Sequence, residues 1–228
     1  MNDLILSIDC CSLQWTTLGL LEGNSLKGEL NLDIGRKQSA LLPGLVQSFL
    51  CSFSLSAFDM DYFAVTNGPG SFTGIKVGVA FTQFTAWTAG KKIIPLSSLE
   101  IMAFSHIRQE DTYVLSMIQG GGGKAYAALF RGNSTSERPV CLMEEKAYSP
   151  AELEQRLGEF TGLPDNLVWA VDDPGKISRS FHLSGILFPP QKTVPSGAAA
   201  VRLASLKKSE AIPARKIRGS YLKDPDLG

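Results

Sequence analysis

The sequence predicts an α/β protein of two lobes, each built from the same β-β-β-α-β-α order of elements. Three observations lead to this fold class: short apolar runs typical of buried strands, apolar residues at helical spacing between them, and a second half that repeats the order of the first. With 228 residues, 44% apolar and 19% charged, the chain can bury a core without disulfides or metals.

The first half begins with three runs typical of strands. Residues 4–9 are short, apolar and rich in Ile, and residues 15–21 and 26–33 flank the turn signal Glu22-Gly23-Asn24. Apolar residues at helical spacing follow over 40–53. The order β-β-β-α is therefore predicted for the first 53 residues.

A second strand–helix pair and a further helix complete the first half. Residues 62–66 read as a strand that Gly68-Pro69-Gly70 ends, and residues 72–89 as a helix. The short strand 93–94 precedes a helix at Ser97, where a Glu three residues later forms a capping box. In the helix 72–89, the residues expected on one stripe are Val77, Phe81, Phe84 and Thr88.

The second half repeats this order. Ser149, followed by Pro150 and then Glu152, is a strong helix start that predicts a helix to about residue 160. We expect lobes at 1–108 and 109–228, and packing of the C-terminal segment back on the first lobe stays open. The other predicted elements are strands at 113–118, 125–130, 140–147 and 167–171 and a helix at 198–207.

Charge and cysteine content exclude several classes of protein. The 22 Lys and Arg residues balance 22 Asp and Glu residues, which argues against a dominant electrostatic grip on nucleic acid or an acidic membrane. The four cysteines form no Cys-x-x-Cys pair and indicate reduced thiols. The first residues lack a basic region, and the uncharged stretch 38–58 contains Pro43 and Gly44. We expect a cytoplasmic protein without a membrane span.

The segment 68–74, Gly-Pro-Gly-Ser-Phe-Thr-Gly, is the sharpest local motif. It follows a strand and opens a helix, where unpaired amides suit an anion and glycines allow close backbone approach. It is not a P-loop, because no Gly-Lys-Ser/Thr ends it. Two interpretations stay open: an anion site, or a tight turn whose glycines only accommodate the backbone.

At this motif the chain resembles a known family. Residues 68–78 are similar to the Gly-Pro-Gly-Ser-Phe-Thr-Gly-x-Arg-x-Gly signature of the bacterial TsaB (YeaZ) family, which is related to the glycoprotease-like (peptidase M22-like) proteins. Residues 6–9, 36–43, 95–99 and 220–223 resemble further family elements in the same order. That family is the non-catalytic subunit in the synthesis of threonylcarbamoyladenosine (t6A) in tRNA.

The resemblance implies the actin-like ATPase (ASKHA) fold, whose core is the duplicated unit described above. It also implies protein partners: a metal-bearing threonylcarbamoyltransferase paralogue, a small P-loop ATPase subunit, and a second copy of the chain when alone. Contact with tRNA is expected only indirectly. From Arg202 to Lys223, however, seven Lys or Arg residues accompany the single acid Glu210, so either an ordinary solvated surface or a contact with tRNA phosphates stays open.

The sequence departs from catalytic relatives at the metal site. Those relatives hold a metal with His-x-x-x-His, and Ser98 and Met102 stand at the corresponding positions here. Neither side chain is a plausible ligand for a divalent metal. His106 and His182 lie far apart in the sequence. We therefore expect no metal and no catalytic residue.

The sequence also departs from the actin-like pattern at two places where a nucleotide would bind. Cys10-Cys11-Ser12 follows Asp9 where an actin-like phosphate loop carries Gly, and Gly120–Gly123 replaces the Asp-Ala-Arg of the family's second-lobe hairpin. No cofactor is expected, although weak binding of ATP or ADP stays open. The residues of a vestigial nucleotide or anion site would be Asp9, Ser12, Gly68, Gly70, Ser71, Gly121 and Gly122.

The resemblance places the partner interface on the helices that follow Arg36 and Ser71. Gly74 and Gly78 are four apart on one helix face, and the first helix carries more apolar width than one core-facing stripe needs. Burial of both helices by the sheet is the alternative, and an actin-like ATP-dependent enzyme or a glycoprotease-like hydrolase is the alternative function. The predicted interface residues are Leu41, Leu45, Phe49, Gly74, Gly78, Phe81 and Thr82.

Overall fold

The computed structural model describes residues 2–109, 111–132, 134, 137–160, 163–164, 167–183 and 189–220. These residues divide into two compact units, one made of 2–101 with Pro195–Ser220 and the other of Met102–Val194. We take each unit as one lobe, and the boundary between residues 108 and 109 stays a prediction.

The helices and strands follow one another along the chain as the sequence predicts, with three additions. In order they are β1 (Leu4–Asp9), β2 (Trp15–Glu22), β3 (Ser25–Asp33), α1 (Gln38–Cys51), β4 (Tyr62–Thr66), α2 (Phe72–Thr88), β5 (Lys92–Leu96), α3 (Ser98–His106), β6 (Thr112–Gln119), β7 (Ala125–Gly132), β8 (Val140–Tyr148), α4 (Pro150–Gly158), β9 (Val168–Val171), α5 (Pro174–Ser180), β10 (Gln191–Lys192), α6 (Gly197–Leu206) and β11 (Ile212–Pro213). The sequence analysis missed α5 and the two-residue strands β10 and β11.

The two sheets share one topology. The first has the order β11-β5-β4-β1-β2-β3 and the second β10-β9-β6-β7-β8. In each, the first strand pairs antiparallel with the second and parallel with the fourth. This equivalence of the two sheets confirms the duplicated unit of the actin-like fold. Among the described helices, none is long and apolar enough to cross a membrane.

The first sheet carries helices on both faces. Side chains alternate along β1, so Leu6 and Ile8 join the buried cluster that includes α1 and α2, whereas the hydroxyl of Ser7 faces Gly197 of α6. The strand is therefore buried on both faces, and its apolar residues do not alternate with exposed polar ones.

The order of elements predicts that the helix at 198–207 belongs to the repeat of the second half, and the structure corrects this prediction. Helix α6 packs on β1, β2 and β3 of the first unit. In the order of elements, α5 follows β9 as α2 follows β4, so α5 is the helix that completes the repeat of the second half. Gly19 and Gly197 make this packing close, because a Cβ on either one would overlap the other segment's backbone. Asp173 caps α5 by accepting a hydrogen bond from the Lys176 amide at 3.1 Å.

Polar contacts anchor both ends of α6 within the first unit. At its start, Glu29 accepts hydrogen bonds from the Ala198 amide at 2.9 Å and the Ser196 hydroxyl at 3.1 Å. After its end, the buried Lys207 ammonium lies 2.7 Å from the Glu100 carboxylate on α3. Removing one partner of such a buried pair would leave an uncompensated charge, so this pair fixes the position of α6 strongly.

The second unit has its own core, built from β6, β7, β9 and the helices α4 and α5. Its largest buried side chains include Trp169 and Phe181. Ser149 and Glu152 form the predicted capping box at the start of α4, with the Ser149 amide 2.8 Å from the Glu152 carboxylate. Local sequence signals therefore set the start of this helix.

We expect Glu29→Gln to loosen the start of α6. Partial burial raises the pKa of Glu29, but hydrogen bonds from Ala198, Asn31 and Ser196 outweigh it, so the pKa lies below its ordinary value. A depressed pKa stabilises the fold above the unfolded-state pKa, and this contribution is lost as pH falls through the folded-state pKa. The variant should unfold about 1 kcal/mol more easily at pH 7, as for a lost helix cap.

Urea unfolding from pH 7 down to about 3 measures this difference, which should shrink toward the acid end. The half-buried Glu22, which pairs with Lys27 at 3.0 Å at the surface, supplies the control Glu22→Gln, with an expected change below about 0.5 kcal/mol. Equal stabilities of Glu29→Gln and Glu22→Gln at every pH would show that Glu29 does not anchor α6.

Candidate functional site

The sharpest sequence motif forms a turn between β4 and α2, which we call the strand-end loop (residues 67–74). Ser71 begins the helix as its N-cap, and its hydroxyl accepts a hydrogen bond from the Gly74 amide at 3.2 Å. The Ser71 amide in turn donates to the Cys11 carbonyl at 2.7 Å. The first contact caps the helix, and the second ties the start of α2 to the residues that follow β1.

Glycines let this loop lie directly on the backbone that follows β1. A Cβ on Gly70 would overlap the Cys11 carbonyl oxygen, and one on Gly74 would overlap the Cys10 carbonyl oxygen. Each glycine therefore faces a backbone acceptor of its own chain. Since an acceptor repels a negatively charged ligand, this packing disfavours an anion in the same space.

The C-terminal segment covers the first glycine of the loop. A Cβ on Gly68 would overlap the Ser220 carbonyl oxygen. Asn67 holds that segment in place: its carbonyl accepts a hydrogen bond from the Ser220 amide at 2.6 Å, and its side-chain amide donates to the Arg218 carbonyl at 2.9 Å. Gly68 thus accommodates the chain's own backbone.

The remaining anion-site candidates of the first unit also make contacts within their own chain. Asp9 accepts a hydrogen bond from the Cys11 amide at 2.7 Å, and the Ser12 hydroxyl accepts from the amides of Gln14 and Trp15, each at 3.3 Å. The structure therefore supports the tight-turn interpretation for Gly68, Gly70 and Ser71, together with the turn role of Ser12 that sequence reasoning missed.

The other two candidates, Gly121 and Gly122, belong to the second unit and lie exposed in the connection between β6 and β7. This connection closes through a hydrogen bond from the Gly120 amide to the Lys124 carbonyl at 3.0 Å. The structure brings Asp9, Ser12, Gly68, Gly70 and Ser71 together in one unit and places the two exposed glycines in the other.

Buried acidic and thiol groups lie at the end of β1. Burial raises the pKa of Asp9 above its ordinary value, although a hydrogen bond from the Cys11 amide opposes the shift. Burial, followed by the nearby Asp9 carboxylate, raises the pKa of Cys10 to about 12 and that of Cys11 well above its usual range. Both thiols are therefore protonated at neutral pH, and thiolate nucleophilic chemistry is disfavoured.

The positions that hold a metal in catalytic relatives are packed inside the first helix turns of α3. Ser98 and Met102 are buried, and among the described residues no group of three or more His, Cys, Asp or Glu could hold a metal ion. The His106 ring nitrogen instead pairs with the Thr193 hydroxyl at 2.8 Å. Burial lowers the pKa of His106, which favours its neutral form.

The predicted interface residues separate into buried and accessible groups. Gly74 and Gly78 face Cys10 inside the first unit, and Thr82 is fully buried. Phe49 is buried too, with its ring edge-on to Phe53 at a centroid distance of 5.4 Å. The expectation that these four residues meet a partner is corrected, because their own chain covers them. Leu41 is exposed, and Leu45 and Phe81 are partly buried.

Two large aromatic residues that sequence reasoning did not place at the interface are exposed on α2. Phe84 and Trp87 have 66% and 67% of their surface exposed. Phe81, Phe84 and Trp87 recur every third residue, which places them on one side of the helix, and this spacing was the signal available in the sequence. We define the outer face of α1 and α2 as Leu41, Leu45, Phe81, Phe84 and Trp87.

Comparisons with known proteins agree with the motif. The family model described as TsaD, tRNA N6-adenosine threonylcarbamoyltransferase, matches residues 33–201. The tRNA threonylcarbamoyladenosine biosynthesis protein TsaB of Escherichia coli (strain K12) is 30% identical over 161 residues, covering 69% of this chain and 68% of that protein. The TsaB protein of Bacillus subtilis (strain 168) is 29% identical over 129 residues, and the match spans only 55% of its length.

A solved structure of YeaZ from Pseudomonas aeruginosa has the same fold. It matches 96% of this chain and all of its own chain, with a TM-score of 0.79 and 18% sequence identity. At this identity the likeness establishes the architecture alone.

A pair of glycine variants tests the contact between α2 and β1. The Cβ of Gly74→Ala would overlap the Cys10 carbonyl, so we expect a loss of about 2–3 kcal/mol of stability from overpacking. The nearest atom to a Cβ on Gly78 is the Cys10 Cβ at 3.4 Å, an ordinary contact. Gly78→Ala should therefore be neutral or gain up to about 1 kcal/mol from helix propensity. Thermal and urea unfolding measure both, and equal effects would contradict this packing.

The buried carboxyl group predicts a pH dependence. An acid whose folded-state pKa is raised binds a proton more readily in the fold, so stability falls as pH rises from about 4 through the folded-state pKa of Asp9. Asp9→Asn keeps the acceptor for the Cys11 amide and removes this dependence. We expect the variant to be at least as stable as the wild type at pH 7, with a flatter profile between pH 4 and 7.

Unfolding titrations at several pH values check this result, with Asp33→Asn at an exposed position as the matched control. A large loss of stability in Asp9→Asn at pH 7, absent from the control, would mean that the ionised carboxylate supports the fold.

Proposed function

We infer that this chain, which belongs to the TsaB (YeaZ) family of tRNA threonylcarbamoyladenosine biosynthesis proteins within the larger TsaD family, acts as a non-catalytic subunit. It docks onto the metal-bearing threonylcarbamoyltransferase paralogue and keeps that enzyme competent to modify adenosine 37 of tRNA. The observation that carries this proposal is the outer face of α1 and α2, with its two exposed aromatic side chains.

The composition of the outer face suits a protein partner. Tyr, Trp and Phe are enriched in the cores of protein interfaces, and buried aromatic side chains dominate their energetics. Each such ring buries roughly 150–250 Å². The exposed Phe84 and Trp87 on one side of α2 therefore provide a nucleus for docking.

The interior of the first unit supports a non-catalytic role. The loop glycines contact carbonyls of their own chain, and the thiols of Cys10 and Cys11 have raised pKa values. A reacting group must be accessible and in the right protonation state, and these are neither. These features favour action through binding at the surface of the chain over catalysis at the ends of its strands.

The same face also suits a second copy of the chain. In the absence of the paralogue, an apolar face that fits a protein of the same fold can pair with its own copy, so we propose a symmetric dimer of the isolated chain. A small P-loop ATPase subunit completes the proposed assembly, which modifies tRNA in the cytoplasm.

The double variant Phe84→Ser/Trp87→Ser tests the docking proposal. Central aromatic residues of an interface are each worth about 2 kcal/mol or more, so the double variant should lower affinity for the paralogue at least about 100-fold. It should also lose the dimer on sizing with light scattering. The fold should survive because both side chains are exposed, and circular dichroism with a melting curve verifies this.

Phe58 supplies a matched control because it is 64% exposed and lies outside α1 and α2. Phe58→Ser removes one equally exposed aromatic ring and should leave paralogue binding, measured by calorimetry, unchanged. If Phe84→Ser/Trp87→Ser binds the paralogue as tightly as Phe58→Ser does, the docking surface lies elsewhere. Modification of tRNA by this chain alone, without the paralogue, would refute the non-catalytic role.

A further inference from the structure

The segment after β11 carries three exposed cationic side chains, Arg215, Lys216 and Arg218, which we call the basic ridge. Residues 211–220 contain these three cations and no acidic residue. The docking role proposed above makes no use of them. They form the densest cluster of positive charge in the first unit that its packing does not explain.

The ridge is held by buried residues that alternate with the cations. Ala214 and Ile217 are buried in the core of the first unit, so the intervening side chains must point outward. The Gln83 side-chain amide of α2 donates to the Ala214 carbonyl at 3.1 Å. Before the ridge, Ile212 and Pro213 pair with β5.

Hydrogen bonds to backbone carbonyls hold the other end of the ridge. The Arg218 carbonyl accepts a hydrogen bond from Asn67 in the strand-end loop. One Nη of Arg218 donates to the carbonyls of Arg215 and Ile217 at 2.8 and 2.7 Å. The guanidinium is therefore oriented, and among the residues that the structure describes none bonds its second Nη or its Nε, which can meet an external acceptor. An oriented cation loses less entropy on binding than a mobile one.

Neighbouring cations of the same C-terminal segment are neutralised, whereas the ridge is not. Lys207 pairs with Glu100 and Glu210, and Lys208 lies 2.8 Å from Asp3. Within the described part of the chain, no ion pair reaches Arg215, Lys216 or Arg218. The structure thus separates cations that hold the fold together from cations that face solvent.

We propose that the basic ridge binds the phosphate backbone of the tRNA substrate, an inference that rests on the proposed function. Arginine matches phosphate oxygens through paired N–H donors, and three cations within four residues, on a backbone held by the core, suit closely spaced phosphates. A protein interface would need an apolar centre, and the described large apolar residues of 211–220 are buried or partly buried against the core. This chemistry favours RNA over an acidic protein.

The test measures binding of an unmodified, fluorescently labelled tRNA transcript to the full chain and to its complex with the paralogue, by anisotropy from 25 to about 200 mM salt. Removing three phosphate contacts with Arg215→Ala/Lys216→Ala/Arg218→Ala should flatten the plot of log affinity against log salt by about 2–3 units. At the lowest salt, affinity should fall at least about tenfold.

The control variant removes three exposed cations of the second unit, Lys146→Ala/Arg179→Ala/Lys192→Ala, and so has the same net charge. Its salt slope should match the wild type. Because Arg218 also bonds its own backbone, the double variant Arg215→Ala/Lys216→Ala provides a second measurement. It should flatten the slope by between about 1 and 2 units without changing the melting temperature.

Each outcome decides the proposal. The proposal is supported if the slope of log affinity against log salt becomes flatter in the ridge variants and not in the control variant. The proposal is overturned if the ridge variants bind tRNA with the same affinity and salt slope as the control variant. It is also overturned if neither the wild-type chain nor its complex with the paralogue binds tRNA. Ridge variants that lose the paralogue yet keep the tRNA slope overturn it in favour of a protein contact. A wild-type chain that binds tRNA but not the paralogue refutes the proposed function and leaves the ridge intact.

Discussion

The close contact between the start of α2 and the end of β1 is the constraint on which the rest of the first unit depends. Gly70 and Gly74 let the helix start lie against the carbonyls of Cys11 and Cys10, and the Ser71 amide completes the contact. A side chain at either glycine would push the helix outward. This contact fixes the rotation of α2, and that rotation directs Phe84 and Trp87 to solvent.

The same contact disfavours ligand binding at the carboxyl end of β1. In many α/β folds, ligands bind beyond the carboxyl ends of the strands, where loop glycines and helix amides face the ligand. Here the motif's glycines face backbone oxygens of their own chain, and Asn67 holds the C-terminal segment over Gly68. The features available for recognition are therefore on the surface: an aromatic helix face and a ridge of exposed cations.

Local signals made much of the fold predictable from sequence. Short apolar runs, helical spacing and the helix start at Ser149 located most strands and helices within a few residues. The position of α6 was not predictable, because it depends on Gly19 meeting Gly197 across 178 residues of sequence. The orientation of α2 was not predictable for a similar reason: both of its faces are apolar, so only the contact with Cys10 shows which one is inside.

Hydroxyl-radical footprinting of the full chain tests most directly the claim that it acts through its outer face rather than its strand ends. Adding the paralogue should slow oxidation of Phe84 and Trp87 several-fold and leave Phe58 unchanged, whereas Mg-ATP should change none of them. The exposed Leu13, beside the end of β1, reports on ligand binding there. If Mg-ATP protected Leu13 while the paralogue left Trp87 fully reactive, the account would be contradicted.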